Sequence, residues 1–330
     1  MFPVESLFKT LSGCFGHRRP DKPDDSQAAL LDEMQLRRLA LYARSLPDSL
    51  FEFGRQSAHP QLGDIPSCYR GRGSEFEENR NYQAGDEQRM INWRLYARSG
   101  DLYTKVFREE RRPQVFLLLD RRAAMRFATR RQLKVTLAAG IGACYCYQAV
   151  HQALPVGGML LGRSIEWFEP AVTEISAQHF VQALNQPCPP VDFGQAQSGL
   201  EAALQQLLQR LPEGSFVLLL SDFLDLDTDA AMPLLQQLSA RYSLRAVQVL
   251  DPVERQLPQT GGFLIEDGSA AAPLRIGAGD EMRQYATLFS KEQEKLRDCF
   301  GSCGIDLSTC STEDDVMTCL ESNRATASTH

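Results

Sequence analysis

Two stretches of the sequence decide the fold: QVFLLLD at Gln114–Asp120 and SFVLLLSD at Ser215–Asp222. Each is apolar throughout and ends in an acid, which is typical of strands that are buried on both faces of a parallel sheet. Helical and strand patterns alternate around them, so we predict an α/β fold with a doubly wound, mainly parallel sheet. Ligands bind such sheets beyond the carboxyl ends of the strands, where Asp120 and Asp222 would lie.

The rest of the chain divides by composition. Residues 1–48 are predicted to form a polar tether and one amphipathic helix. Residues 49–112 should form a smaller, strand- and loop-rich subdomain with many arginines and aromatic residues. The sheet domain is expected over 113–322, followed by a disordered tail over 323–330.

Composition narrows the class of protein. The formal net charge of −7 disfavours a nucleic-acid binder, because such proteins neutralise phosphates with basic residues. The sequence holds no run of about 18 apolar residues that would indicate a membrane span, and no secretory signal is apparent. The nine cysteines form no recognisable disulfide framework, which favours a reducing compartment. We therefore expect a cytoplasmic protein without a membrane span and without a nucleic-acid partner.

The two strand-end acids are the first candidate site. Asp120 and Asp222 would repel each other unless a cation, a proton or hydrogen-bond donors lay between them. A hard cation such as Mg²⁺ needs further oxygen ligands, but Arg121, Arg122 and Ala124 follow Asp120 and supply no hydroxyl. Three interpretations stay open: a working metal site, an internal ion pair with an arginine, or simple capping of the following helices. We expect no bound metal and no cofactor.

The densest run of charged and aromatic residues lies between Arg70 and Arg112, with ten Lys/Arg and eight Asp/Glu. Its most regularly spaced members are Gly71, Gly73, Glu75, Phe76, Arg80, Tyr82, Gly85, Asp86, Arg89, Asn92, Trp93 and Arg98. Such a segment suits either an internal salt-bridge network or an exposed surface for a partner. We expect Tyr82 and Trp93 to be buried anchors that pack this segment onto the sheet.

These residues resemble the signature of a bacterial domain-of-unknown-function family, DUF58. That signature runs G-x-G-x-E-F, then R-x-Y-x-x-G-D-x-x-R-x-I-D-W, then an A-R pair. The chain departs from it at Asn92, where the family usually has Asp. The resemblance covers roughly Leu50 to Ser322. It implies a von Willebrand factor A-like sheet domain and partnership with MoxR-type AAA+ ATPases.

The resemblance also implies where a metal would lie. Von Willebrand factor A domains often bind a divalent ion through D-x-S-x-S, a Thr in a later loop and a strand-end Asp. The matching positions here are Asp120, Arg122, Ala124 and Asp222. The Thr has no placeable counterpart, and the loop Asp192–Ser198 offers only Ser198 in its stead. Because both serines are replaced, we expect a degenerate site in which the guanidinium of Arg122 or Arg121 lies between the two aspartates.

The expected function is a non-enzymatic, protein-binding adaptor that works with a MoxR-type AAA+ ATPase in chaperone-like remodelling or complex maturation. The alternative is a metal-dependent hydrolase that uses Asp120 and Asp222. We expect no catalytic residues, because the five histidines are scattered and no G-x-S-x-G motif is present.

Overall fold

The chain divides into two compact units in the computed structural model: a small unit, Gln56–Arg112, and a sheet unit that comprises the remainder. The small unit begins later than the expected residue 49, because Leu50 and Phe51 are buried in the sheet unit. There the Phe51 ring lies 5.3 Å from that of Phe216. The structure describes residues 28–47, 50–51, 75–83, 88–108, 114–126, 128–129, 131–188, 198–256, 262–266, 271–275 and 280–327.

The helices and strands of both units are numbered in chain order. The helices are α1 (Glu33–Ala43), α2 (Trp93–Ser99), α3 (Lys134–His151), α4 (Glu174–Leu184), α5 (Leu200–Arg210), α6 (Thr228–Arg241), α7 (Pro252–Arg255), α8 (Asp280–Ser302) and α9 (Val316–Ala327). The strands are β1 (Glu75–Asn81), β2 (Tyr103–Arg108), β3 (Val115–Asp120), β4 (Val156–Leu161), β5 (Ile165–Ala171), β6 (Phe216–Ser221), β7 (Ser243–Leu250), β8 (Gly262–Glu266), β9 (Ala271–Arg275) and β10 (Asp306–Ser311).

The sheet unit is built on a six-stranded sheet with the order β10-β7-β6-β3-β4-β5. All neighbouring strands run parallel except β5, which pairs antiparallel with β4 at one edge. Strands β3, β4 and β6 are buried along their whole length. The expectation of an α/β fold with a mainly parallel sheet is confirmed, and the two apolar stretches form its central pair of strands.

Helices cover both faces of this sheet. Because successive side chains of a strand point to opposite faces, Leu117 and Leu119 of β3 pack with α1, α3, α4 and α9. Phe116 and Leu118 of the same strand pack with α5, α6 and α8 on the other face. The helices that follow β3 and β6 therefore lie on opposite faces, and in sheets of this kind ligands bind beyond the carboxyl ends of two such neighbouring strands.

The last helix corrects the expected start of the tail at residue 323. Helix α9 continues to Ala327, because the stretch from Glu321 to Ala327 contains neither proline nor glycine. Residues 328–330 lie outside the described part of the chain. Among the helices that are described, none has both the length and the apolar character needed to cross a bilayer.

The small unit contains the antiparallel pair β1 and β2, and the short helix α2 follows an isolated bridge between Ile91 and Thr104. Asn92 begins α2 as its N-cap, where its Oδ1 accepts a hydrogen bond from the backbone N–H of Leu95 at 3.2 Å. Asp and Asn serve about equally well at this position. The departure from the family signature at Asn92 therefore preserves the helix start.

Candidate functional site at the carboxyl edge of the sheet

Asp120 ends β3 with its carboxylate buried, and Arg122 folds back onto it. Nε of Arg122 donates to Oδ1 at 3.0 Å, and Nη2 donates to Oδ2 at 2.7 Å. The backbone N–H of Arg122 also donates to Oδ1 at 2.9 Å, and Oγ of Ser221 donates to Oδ2 at 2.7 Å. The Asp120 carboxylate is thus held from β3 and β6 by four hydrogen bonds.

The same guanidinium binds a second carboxylate, that of Asp225, in the loop after β6. Nη2 of Arg122 donates to Oδ1 of Asp225 at 3.0 Å, and Nη1 donates to Oδ2. Burial lowers the pKa of Arg122, but the hydrogen bonds and charges of Asp120 and Asp225 outweigh this and raise it. Burial raises the pKa of Asp120, and the Arg122 guanidinium opposes that effect. The arginine is therefore a permanent internal cation.

Asp222 has a different partner, Lys134, which the sequence analysis did not identify. Nζ of Lys134 lies 2.7 Å from Oδ2 of Asp222 and 2.6 Å from Oε1 of Glu254. Burial lowers the pKa of Lys134, but the two carboxylates more than offset this and raise it. The expectation of a guanidinium between Asp120 and Asp222 is thus correct for Asp120 and wrong for Asp222. The physical reason is that the first residue of α3 directs its ammonium group to the end of β6.

The network continues past β7 through Asp251, which begins α7. The backbone N–H of Thr129 donates to Oδ2 of Asp251 at 2.8 Å, and Oγ1 of Thr312 donates to the same oxygen at 2.7 Å. Oγ1 of Thr129 also donates to Oδ1 of Asp251, and despite the opposing effect of burial, this hydrogen bond and the other two hold the pKa of Asp251 below its ordinary value. Asp251 in turn donates its backbone N–H to Oε2 of Glu254 at 2.8 Å. Burial, followed by the charge of Asp222, raises the pKa of Glu254 against the effect of Lys134.

Phe223 gives the loop after β6 an unusual backbone. Its φ is +54°, a left-handed conformation that a bulky residue rarely adopts. The ring is buried against Phe300, with centroids 5.2 Å apart, and the backbone N–H donates to Oγ of Ser221 at 3.2 Å. Such strained positions cluster at functional sites, where the surrounding packing maintains them. Here the strained turn presents Asp225 to Arg122.

The other residues expected at this edge lie apart from the two aspartates. Arg121 directs its side chain to the end of α4, where its Nη2 donates to the carbonyl oxygen of Gln186 at 2.6 Å. Ala124 lies in a 3₁₀ turn, Ala123–Arg126. The backbone N–H of Ser198 donates to the carbonyl oxygen of Gly162 at 3.2 Å, after β4. Of the five residues expected around a metal, the structure thus brings together Asp120, Arg122 and Asp222. It adds two acids that were not expected there, Asp225 and Glu254.

These residues do not fit a divalent metal ion. The Asp120 carboxylate is bound to a guanidinium and the Asp222 carboxylate to an ammonium group, so the space a metal would take is occupied by protein cations. Arg122 and Ala124 stand where metal-binding serines would be needed. Within the described ranges, no group of three or more His, Cys, Asp or Glu side chains could hold a metal ion.

The signature segment of the small unit is partly exposed. Trp93 is 59% exposed, so the expectation that it is a buried anchor is wrong, whereas Tyr82 is half-buried. The rings of Trp93 and Tyr96 meet edge to face at 6.1 Å, and Arg98 is exposed on the same helix. Arg89 is exposed and Arg80 half-buried, Glu75 and Phe76 lie on β1, and Gly71, Gly73, Gly85 and Asp86 lie outside the described residues.

Comparison with known proteins settles the family. The model of the protein family of unknown function DUF58 matches residues 78–295, well over half of the chain. The chain belongs to the DUF58 family. This DUF58 chain is also similar to uncharacterized proteins of Mycobacterium bovis and Mycobacterium tuberculosis. Each is 25% identical over 255 residues, which cover 77% of this chain and 78% of the relative.

Two solved structures are similar to this DUF58 protein at low identity. The conserved hypothetical protein BatB from Bacteroides thetaiotaomicron is 13% identical, with a TM-score of 0.38, and the match covers 66% of this chain and 98% of that one. An uncharacterized membrane spanning protein from Vibrio fischeri is 12% identical, with a TM-score of 0.22, and the match covers 64% and 99%. The Vibrio fischeri protein is described as membrane spanning, and the expectation of a cytoplasmic location for this chain is withdrawn as a correction.

Proposed function

We propose that this DUF58 protein is a non-enzymatic adaptor that binds protein through the carboxyl edge of its sheet and through the exposed face of α2. The observation that carries this proposal is that cationic side chains of the protein itself bind the carboxylates at this edge. Arg122 binds Asp120 and Asp225, and Lys134 binds Asp222 and Glu254, so both strand-end carboxylates are engaged inside the protein. The charged groups of this network that solvent reaches are those of Arg122 and Asp225, and these are the groups that a partner could contact.

We further propose that the sheet unit is a von Willebrand factor A-like domain with a degenerate metal site. Five parallel strands with one antiparallel edge strand, and helices on both faces, are consistent with that fold. The replacement of the two serines by Arg122 and Ala124 accounts for an edge that uses protein cations in place of a metal. The proposed partner is a MoxR-type AAA+ ATPase, with which the adaptor would remodel or mature client complexes.

The exposed face of α2 supplies a second contact surface. Trp93 and Tyr96 are large aromatic residues in solvent, and Arg94 and Arg98 lie beside them on the same helix. Tryptophan, tyrosine and arginine are the residues that contribute most strongly to protein interfaces. Single exposed apolar residues are ordinary, but an edge-to-face pair of exposed rings on a helix that also carries two exposed arginines suits an interface.

A metal-dependent hydrolase that uses Asp120 and Asp222 is the competing function. It requires both carboxylates to be free for a metal, and each is instead engaged by an internal cation. Elemental analysis of the purified full chain separates the two functions, because the adaptor should contain no stoichiometric Mg²⁺, Mn²⁺ or Zn²⁺. Stoichiometric metal that is lost in Asp222→Asn would support the hydrolase.

The adaptor is tested by mixing the full chain with a MoxR-type ATPase from the same organism and measuring binding by calorimetry. We expect a complex with the wild-type chain and at least about tenfold weaker binding by Trp93→Ala, since a hot-spot aromatic contributes 2 kcal/mol or more. Ile175→Ala is the matched control, because Ile175 is 79% exposed on α4 of the sheet unit. No complex, or equal binding by both variants, contradicts this proposal.

A further inference from the structure

The guanidinium of Arg122 binds its two carboxylates through different edges. Nε and Nη2 face Asp120, whereas Nη1 and Nη2 face Asp225. A planar guanidinium can engage one carboxylate on each of these edges with two parallel hydrogen bonds. We call the side that faces Asp225 the outer edge of Arg122.

The two carboxylates are held very differently. Asp120 is 1% exposed and accepts further hydrogen bonds from Ser221 and from the backbone of Arg122. The side chain of Asp225 is 47% exposed, and within the described part of the chain its hydrogen bonds come from Arg122 alone. Asp120 is therefore a permanent partner, whereas Asp225 is a partner that water can reach.

The loop that carries Asp225 is anchored on both sides of it. The backbone N–H of Leu224 donates to Oδ1 of Asp222 at 3.3 Å, and that of Leu226 donates to the carbonyl oxygen of Phe223 at 3.3 Å. Asp227 then caps α6 by accepting hydrogen bonds from the helix backbone. The Asp225 side chain can thus leave Arg122 by rotating about its own bonds, while the loop stays in place.

Exchange of this carboxylate for another one is energetically inexpensive. An ion pair whose partner is half exposed, as Asp225 is, contributes less net stability than a fully buried pair, because water replaces part of what is lost. The incoming carboxylate would recover the same two parallel hydrogen bonds to a guanidinium that is already oriented by Asp120. Asp227 and Asp229 follow Asp225 in the chain and are exposed, so a singly charged carboxylate suits this environment better than a doubly charged phosphate.

We propose that the outer edge of Arg122 is a recognition site for a carboxylate group of a partner protein, and that Asp225 occupies this site until the partner binds. The inference rests on the proposed adaptor function and names the chemistry of the contact. The partner presents an Asp or Glu side chain or a chain terminus at the carboxyl edge, and Asp225 acts as its internal competitor.

The first experiment tests the site without any partner, with acetate as the carboxylate probe. Asp225→Asn in the full chain removes the competing charge, and melting temperatures are compared in sodium acetate and sodium chloride at equal ionic strength. We expect acetate to raise the melting temperature of Asp225→Asn by about 3 °C at a tenfold excess over its dissociation constant. The wild-type chain and Asp229→Asn, a neighbouring exposed acid, should change much less.

A second variant tests whether the acetate effect on the melting temperature depends on the two parallel hydrogen bonds of the Arg122 guanidinium. In Arg122→Lys/Asp225→Asn the positive charge remains but the two parallel hydrogen bonds cannot form, so the acetate effect should disappear. An acetate effect that is equal in Asp225→Asn and Asp229→Asn, or that survives Arg122→Lys, overturns the proposal.

The second experiment measures binding to the MoxR-type ATPase. Asp225→Asn should bind about fivefold more tightly than the wild-type chain, and Asp229→Asn should bind equally to it. Wild-type binding that Asp225→Asn leaves unchanged overturns the inference but not the adaptor function. Acetate binding by Asp225→Asn without any ATPase binding refutes the ATPase as partner and supports the carboxylate site.

Discussion

Nζ of Lys134 lies 2.7 Å from Oδ2 of Asp222, and the two side chains are buried, with 0% and 2% of their surfaces exposed. Lys134 is the first residue of a helix that is otherwise almost entirely apolar. A buried ammonium group needs carboxylate partners, because an isolated charge in the protein interior is very unfavourable. Asp222 and Glu254 provide them, and the ends of β6 and β7 are thereby joined to the start of α3.

Removing this ammonium group should destabilise the fold strongly. Lys134→Met keeps the length of the side chain but leaves two buried carboxylates unpaired, and we expect a loss of about 3–5 kcal/mol of unfolding free energy. Urea unfolding followed by circular dichroism measures this loss. Lys295→Met is the control, because Lys295 pairs with Glu292 in solvent and its loss should leave the midpoint unchanged. Equal midpoints for the two variants would show that the Lys134 pair is not a structural element.

The hydrogen bonds to Asp251 should give the fold a defined acid sensitivity. Because the folded-state pKa of Asp251 is below its ordinary value of 3.8, its contribution is present above pH 3.8 and is lost as the pH falls through the folded-state pKa. Thr312→Val removes one donor and should cost about 1.5–3 kcal/mol at neutral pH. That cost should shrink below pH 3.8, in unfolding measured against pH. A cost that does not vary with pH contradicts this account, and Thr309→Val on β10, the strand just before Thr312, is the control.

The presence of Lys134 also changes what serine substitutions at the metal position should do. From the sequence alone, Arg122→Ser with Ala124→Ser would restore weak binding of a divalent ion, because hydroxyls replace a fixed cation. In the structure the Asp222 carboxylate is bound to Lys134, and neither substitution removes that ammonium group. We therefore expect its melting temperature to be independent of Mg²⁺. A rise of several degrees with Mg²⁺ would show that Lys134 yields to the metal.

The two tryptophans should differ sharply in their effect on stability. Trp93 is 59% exposed, so Trp93→Ala should change the unfolding free energy by no more than about 0.5 kcal/mol. Trp167 packs 4.4 Å from the Phe116 ring and lies under the guanidinium of Arg210 at 4.1 Å. Trp167→Ala should therefore cost about 2–3 kcal/mol, somewhat less than for a fully buried aromatic residue. Insoluble Trp93→Ala protein would restore the interpretation of Trp93 as an anchor.

The sequence predicts most of the sheet because its signals are local. The continuous apolar runs of β3 and β6 indicate buried parallel strands without reference to any other part of the chain. The pairing of Arg122 with Asp120 spans two residues, and the positional comparison with a metal-binding motif predicts an arginine at Asp120 but leaves open whether it is Arg122 or Arg121. Local pattern therefore gives the strands, the edge and the first ion pair.

The rest of the site depends on contacts that no local pattern contains. The sequence around Lys134 is that of an ordinary helix start, and its one indication of a buried ion pair is a single charge at the first residue of an apolar helix. One of its carboxylates, that of Asp222, directly follows β6, and the other, that of Glu254, lies in α7. Which carboxylates Lys134 meets depends on how α3 packs on the sheet. The exposure of Trp93 cannot be predicted for a related reason, since an aromatic residue within a regularly spaced pattern suits a core and a surface equally well.

The distances along the chain between Lys134 and its carboxylates carry a kinetic consequence. The Lys134–Asp222 contact spans 88 residues and the Lys134–Glu254 contact spans 120. The central strands have the same property, because Val115 of β3 pairs with Phe216 of β6. Contacts between residues so far apart in sequence form only after costly loop closure. The polar edge and the central strand pair therefore depend on the same distant parts of the chain meeting, and we expect the sheet unit to fold slowly for its size.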